Sequence, residues 1–159
     1  MSDPHGELPH DPDVEVGDPA GARTAAVDLA SVGLVFAGGA VGTLVRYLLG
    51  DALPDPDGIP ITIFAINVTG AFLLGWLLEG LARRGPDEGR RRRMRLLLGT
   101  GVLGGYTTYS AFAVDTDGLL AADRFVAAAG YGVATVLVGA AASVAGIALA
   151  AWLHRRRTR

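Results

Sequence analysis

Inside the apolar stretches of this 159-residue chain, few side chains can do chemistry, and most are of one kind. They are Arg46, Asn67, Thr69, Thr107, Thr108, Tyr109, Ser110, Tyr131, Thr135 and Ser143. All but the arginine are neutral groups that offer an N–H or O–H. Histidine occurs at His5, His10 and His154 alone, outside those stretches, and cysteine is absent. No two carboxylates fall within one stretch, since Glu79 and Asp115 stand at the ends of theirs. A general acid–base pair, a zinc–thiolate site and a cysteine nucleophile are therefore all missing, and the chain is not expected to be an enzyme. Neutral donors around one arginine suit a small anion, which sheds its water only where several donors replace it.

The elements that must position these donors are long apolar segments. Half the residues are hydrophobic and mean hydropathy is +0.37, high for a soluble domain of this length. Leu29 to Val45 is free of charge, and after Arg46 the apolar pattern continues to Gly50. A turn rich in Asp and Pro follows, Pro60 stands where a helix can begin, and Ile59 to Leu78 forms a second segment. Leu96 to Val114 is a third, and Phe125 to Leu153 a fourth of 29 residues, longer than the roughly 20 that cross a bilayer. The expected fold class is an all-α integral membrane protein of four transmembrane helices, with 29–154 as the membrane domain. Gly38 with Gly42, and Gly132, Gly139 and Gly146 at seven-residue spacing, are small-residue stripes that let helices approach closely in lipid.

Residues 1–28 carry seven carboxylates, four prolines and Arg23 alone as a base, the composition of a disordered acidic tail. They lack the basic start and apolar core of a secretory signal. Residues 83–95 hold seven arginines and are expected to form a solvated loop, and 155–159 form a basic C-terminal tail.

The densest polar feature is Gly101-Val-Leu-Gly-Gly-Tyr-Thr-Thr-Tyr-Ser-Ala-Phe112. Successive glycines and β-branched threonines weaken a helix, so the third helix is expected to be broken at mid-membrane. Such a break survives only where its freed amides and carbonyls line a cavity or hold an ion. Beyond it, Tyr109 and Phe112 share a face, whether for packing or to turn their positive ring edges toward an anion. Tyr131 and Thr135 place two hydroxyls in line on the fourth helix. Asn67, eight residues into the second segment, reads either as an interhelical hydrogen bond or as an anion donor. Arg46 reads as a snorkelling side chain or as one that attracts anions or holds the fold.

Three of these segments resemble motifs of the small fluoride channels called CrcB or Fluc. Gly38-Gly-Ala-Val-Gly-Thr-Leu-Val-Arg-Tyr47 is similar to that family's first-helix motif, Asn67-Val-Thr-Gly-Ala-Phe72 to its second, and Gly104-Gly-Tyr-Thr-Thr-Tyr-Ser-Ala-Phe112 to its third-helix signature. The likeness covers about residues 31–153 in the same order. It implies an antiparallel, dual-topology dimer with two fluoride pores and a structural sodium ion at its centre. By the same resemblance Asn67 would line the pore, Tyr109 and Phe112 would be its aromatic pair, and Tyr131 and Thr135 would belong to a hydroxyl track. Backbone carbonyls of Gly104 and Thr107 would hold the sodium, and Arg46 matches the first-helix arginine. The sequence departs from the pattern at Tyr109, usually phenylalanine, and at Ala111, often threonine.

The expected function is thus a fluoride-selective channel that exports fluoride from the cell, with fluoride, a second subunit and the lipid membrane as partners, the structural sodium as its only cofactor, and no nucleic acid. The rival is a small multidrug-type proton-coupled antiporter, which would need a carboxylate well inside the first segment, where none occurs. Localisation follows as the cell membrane. All 14 basic residues are arginine, and with four spans twelve of them fall on one side, Arg124 falls on the other, and Arg46 lies within a span. Short-loop arginine sets orientation, so both tails are expected in the cytoplasm, and the antiparallel partner is expected to be an oppositely biased paralogue.

Overall fold

The computed structural model describes residues 28–53 and 55–157. The acidic segment, apart from Asp28, falls outside the described residues, as do Pro54, Thr158 and Arg159. The described chain is helical: α1 Leu29–Ala52, one 3₁₀ turn Pro56–Gly58, α2 Ile61–Ala82, α3 Gly89–Met94, a π-helical stretch Arg95–Leu103, α4 Gly104–Tyr106, α5 Tyr109–Ala121 and α6 Phe125–Arg157. Among the described residues three helices, Leu29–Ala52, Ile61–Ala82 and Phe125–Arg156, are long and apolar enough to cross a membrane, with hydropathies of 1.7, 2.0 and 2.2. At 1.5 Å per residue α1 and α2 reach about 36 and 33 Å, matching a hydrocarbon core of about 30 Å. At about 50 Å, α6 overshoots it and carries its arginines beyond.

Local chemistry sets the ends. Asp28, grouped with the tail in the sequence, caps α1: its Oδ1 accepts from the Ala30 amide at 3.1 Å and its Oδ2 from the Ser31 hydroxyl at 2.6 Å. The Ser31 bond holds its carboxyl below the ordinary carboxylate range. At α2, where Pro60 stands at the N-cap without a side-chain bond, Asp55 reaches in from the preceding turn and accepts from the buried Thr62 amide at 3.0 Å.

The expected loop over 83–95 is shorter than the sequence suggests. Arg90 to Arg95 are helical, because arginine is a good helix former and nothing after Gly89 breaks the chain. The remaining loop is clamped by its own arginines. Arg91 donates to the carbonyls of Pro86 and Arg84 at 2.7 and 3.1 Å, and Arg95 pairs with Asp87 at 2.6 Å. The Arg95 guanidinium holds the Asp87 carboxyl below its usual range. The basic C-terminal tail likewise continues α6 as far as Arg157.

The helices meet through missing side chains. A Cβ on Gly42 would strike the carbonyl of Val102, and one on Gly38 the carbonyl of Leu97, so α1 lies backbone to backbone on the π-helical stretch. On the opposite flank a Cβ on Gly146 of α6 would strike the Phe72 carbonyl of α2, and one on Gly75 the Ser143 carbonyl. The seven-residue stripe of α6 is thus used unevenly: Gly146 is in close contact, while Gly139 has nothing within 4 Å. Apolar side chains stay outside, with Phe36 77 % and Val126 89 % exposed, as lipid or a second subunit allows.

Gly42→Val and Gly146→Val are each expected to lose about 1–3 kcal/mol of stability through overpacking against backbone, read as a lower melting temperature in detergent. Gly139→Ala is expected to stay within about 0.5 kcal/mol of the parent.

Candidate functional site

The helical path from Gly89 is interrupted at two residues. Thr107 (φ −76, ψ 153) and Thr108 (φ −149, ψ 126) are extended between α4 and α5. The amide of Thr107 still reaches the Leu103 carbonyl at 3.0 Å, and the Thr107 hydroxyl donates to the same carbonyl at 2.8 Å. The next amides leave the helical ladder. Thr108 N–H donates to Asn67 Oδ1 at 2.9 Å, and Asn67 Nδ2 donates back to the Thr108 carbonyl at 3.0 Å. One carboxamide on α2 thereby satisfies both backbone groups of the residue where the helix stops. α5 restarts with its own cap, the Thr108 hydroxyl accepting from the Ala111 amide at 3.2 Å and lying 3.1 Å from the Ser110 hydroxyl.

The break takes the helical donors from the carbonyls of residues 104–107. In an unbroken helix Thr108 N–H would close onto Gly104 and Ala111 N–H onto Thr107, but these amides go to Asn67 and to the Thr108 hydroxyl instead. Gly104 and Thr107, the expected sodium-holding residues, are among those whose carbonyls lose their helical donors. Between them, the Gly105 carbonyl accepts from Arg46 Nε at 3.2 Å and from the Thr43 hydroxyl at 3.4 Å. Arg46 therefore sits on the backbone ahead of the break. A Cβ on Gly70 would strike the Thr107 methyl and crowd the Tyr106 ring, so that glycine lets α2 reach the break.

Asn67, Gly104, Thr107, Thr108, Tyr109, Phe112 and Thr135 line one open groove of about 550 Å³ between α2, the break and α6. Tyr109 and Phe112 stand 5.8 Å apart at 45°, and Phe112 continues to Tyr131 at 5.3 Å and 32°. Tyr131 lies behind Phe112 in a small core with Leu119 and Ala128, and is 7 % exposed. Tyr109 is 80 % exposed and faces outward. The two hydroxyls expected in line are both engaged: Tyr131 points its hydroxyl at Asp115 Oδ2, 3.5 Å away, and Thr135 donates to the Tyr131 carbonyl at 2.7 Å.

Sequence reasoning placed Thr108 among the polar groups without giving it a role, although it anchors both Asn67 and α5. It likewise missed the contact of the Thr69 hydroxyl with the Tyr106 hydroxyl at 3.0 Å. The threonine doublet after two glycines was the one local signal for a residue that ends one helix and caps the next.

The chain matches the family described as "CrcB-like protein, Camphor Resistance (CrcB)" over residues 33–147. It is 61 % identical over 124 residues, 78 % of this chain and 86 % of the relative, to a protein of Leifsonia xyli subsp. xyli named fluoride-specific ion channel FluC 2. It is 46 % identical over 123 residues, 77 % of this chain and 80 % of the relative, to fluoride-specific ion channel FluC 1 of Cutibacterium acnes. To fluoride-specific ion channel FluC of Oceanobacillus iheyensis it is 34 % identical over 122 residues, 77 % of this chain and 92 % of the relative.

Asn67→Leu is expected to strand the amide of Thr108, at a cost of about 1–3 kcal/mol, while the Thr108 carbonyl keeps its place at the start of α5. The measurement is hydrogen exchange: amides of 107–111 should lose protection while those of α6 keep theirs. Unchanged protection at Thr108 would show that the carboxamide does not hold the break.

Proposed function

This chain belongs to the CrcB family, and on that premise we propose that it is a fluoride-selective ion channel that exports fluoride and lowers its concentration in the cytoplasm. The observation that supports this most directly is the common groove of Asn67, Thr108, Tyr109, Phe112 and Thr135, which gathers donors and aromatic rings from three elements. Fluoride is small and strongly hydrated, so its path needs replacement donors that are fixed in advance. Asn67 spends one Nδ2 hydrogen on Thr108 and keeps the other, which in this reading faces the ion. The rings of Tyr109 and Phe112 offer positive edges beside it. No proton need be coupled, and the antiporter alternative lacks its carboxylate, since none occurs in α1 between Lys-free residues 29 and 50. Nothing in this chemistry calls for an enzyme.

In this reading the membrane domain crosses four times, the third crossing being the π-helical stretch, α4 and α5 with the break at mid-membrane. A groove open along one side and a Tyr109 ring 80 % exposed suit a path closed by a second subunit, in antiparallel orientation. Gly104 and Thr107 would hold a structural sodium there, because a hard cation takes oxygen ligands and these two carbonyls have lost their helical donors. Arg46, bonded to the carbonyl between them, would hold the break in shape rather than draw in anions.

The second subunit is proposed to be a different chain. Asp28 lies close enough to Arg92 to feel its charge, and the end of α6 shares a cleft with Arg84 and Met94, so the arginine-rich segments gather at one end of the bundle. That end is placed in the cytoplasm, which leaves the antiparallel position to an oppositely biased paralogue.

Fluoride efflux from liposomes, read with an electrode, tests both statements. Flux is expected when the chain is reconstituted with its paralogue, and little from the chain alone. Absence of flux in both preparations would overturn the channel. Full flux from the chain alone, with C-terminal tags found on both sides of the membrane, would leave the channel standing and overturn the heterodimer. In the conducting preparation Phe112→Ile is expected to cut flux by tenfold or more, an effect of about 1.4 kcal/mol on the barrier, whereas Tyr109→Phe should conduct as well as the parent or better.

A further inference from the structure

At the arginine-rich end, away from the groove just described, α2, α3, the π-helical stretch and the last turns of α6 enclose a second cleft of about 280 Å³. Its walls include Leu77, Leu81, Leu98 and Leu153, and Arg84 and His154 stand among them as its polar groups. Leu77 and Leu81 follow one stripe of α2, and Arg84 lies in the turn just past its end, so the lining passes from apolar to cationic where that helix stops. Three nearby arginines are committed elsewhere. Arg83 is paired with Glu79 at 2.6 Å, Arg95 with Asp87, and Arg91 donates to two carbonyls. Among the described residues no carboxylate pairs with Arg84. Arg156, one turn beyond the cleft, lies 3.9 Å over the Trp152 ring.

We propose that this cleft is a binding site for one anionic phospholipid, with part of an acyl chain between Leu77, Leu98 and Leu153 and the phosphodiester on Arg84. The proposal rests on the membrane placement argued above, since only there does the mouth of the cleft meet headgroups while its floor meets acyl chains. The charge complementarity has a definite sense: an apolar floor suits any lipid tail, but an unpaired guanidinium at the mouth favours a net negative headgroup over a zwitterionic one. The cleft is also composite, so an occupied site ties the end of α2 to α3 and α6. Gly80 lies on its floor with nothing within 4 Å of where a Cβ would stand, which leaves room for a tail and for a test.

The test counts retained lipid, a readout independent of fluoride flux. The full chain is exchanged into mixed micelles holding equal phosphatidylglycerol and phosphatidylcholine, and retained lipids are counted by native mass spectrometry. One phosphatidylglycerol per subunit is expected, in preference to phosphatidylcholine. Arg84→Gln should weaken that retention about fivefold, the worth of one arginine near an anionic surface, and Arg93→Gln should leave it unchanged. Gly80→Leu, filling the floor, should abolish retention of either lipid while the melting temperature holds. Equal retention of the two lipids by the parent would overturn the proposal. So would an Arg93→Gln loss as large as that of Arg84→Gln, which would mean diffuse charge, or complete displacement of the lipid by millimolar inorganic phosphate, which would mean a site for the free ion.

Discussion

The arrangement depends on one hydrogen-bonding constraint, the amide of Thr108, which a stopped helix leaves without its helical acceptor. In an apolar bundle such a group cannot turn to water, so it must be met by protein. Asn67 meets it at 2.9 Å and donates back to the Thr108 carbonyl at 3.0 Å, using the acceptor and the donor of one carboxamide. No shorter or singly functional side chain does this from α2. The rest of the site is then fixed around it. Gly70 brings α2 near enough, Arg46 and Thr43 hold the carbonyl of Gly105, and the Thr108 hydroxyl restarts the helix that carries Tyr109 and Phe112.

The same economy explains the glycines. With no hydrophobic drive between helices in lipid, contact comes from close backbone approach, and α1 gains it at Gly38 and Gly42 while α6 gains it at Gly146. Many large apolar side chains are correspondingly turned outward, and one buried cluster is small, Leu119, Ala128 and Tyr131 with Phe64 and Phe112 beside them. The packing therefore rigidifies the backbone at the break and leaves the groove beside it open. A rigid break and an open groove are what a path shared between subunits requires in the channel reading.

Charge is distributed as deliberately as size. Asp55 accepts from an amide in the first turn of α2, and Arg124 donates to the Asp57 carbonyl at 2.7 Å, so the acidic end is tied by its single arginine. At the opposite end arginines close their own loop through Asp87 and main-chain carbonyls. The difference between the two ends is available to set orientation in the membrane.

The sequence alone determined the apolar segments, the polar inventory and the family, because each is a matter of residue type and spacing along the chain. Charge-free runs can be counted, and the three motifs around Gly38, Asn67 and Gly104 are contiguous. It misjudged 90–95 as solvated loop, since polarity says where water is but not whether a charged segment is helical. It left Asn67 undecided between tying helices together and meeting an anion, and only the tertiary structure showed one carboxamide bonded to both sides of Thr108. The engagement of the Tyr131 and Thr135 hydroxyls, the seat of Arg46 on Gly105 and the gathering of Tyr109, Phe112 and Asn67 around one groove were decided there as well. Each of these depends on which amide or carbonyl of a distant segment lies within 3 or 4 Å, and a linear pattern carries no information about that distance.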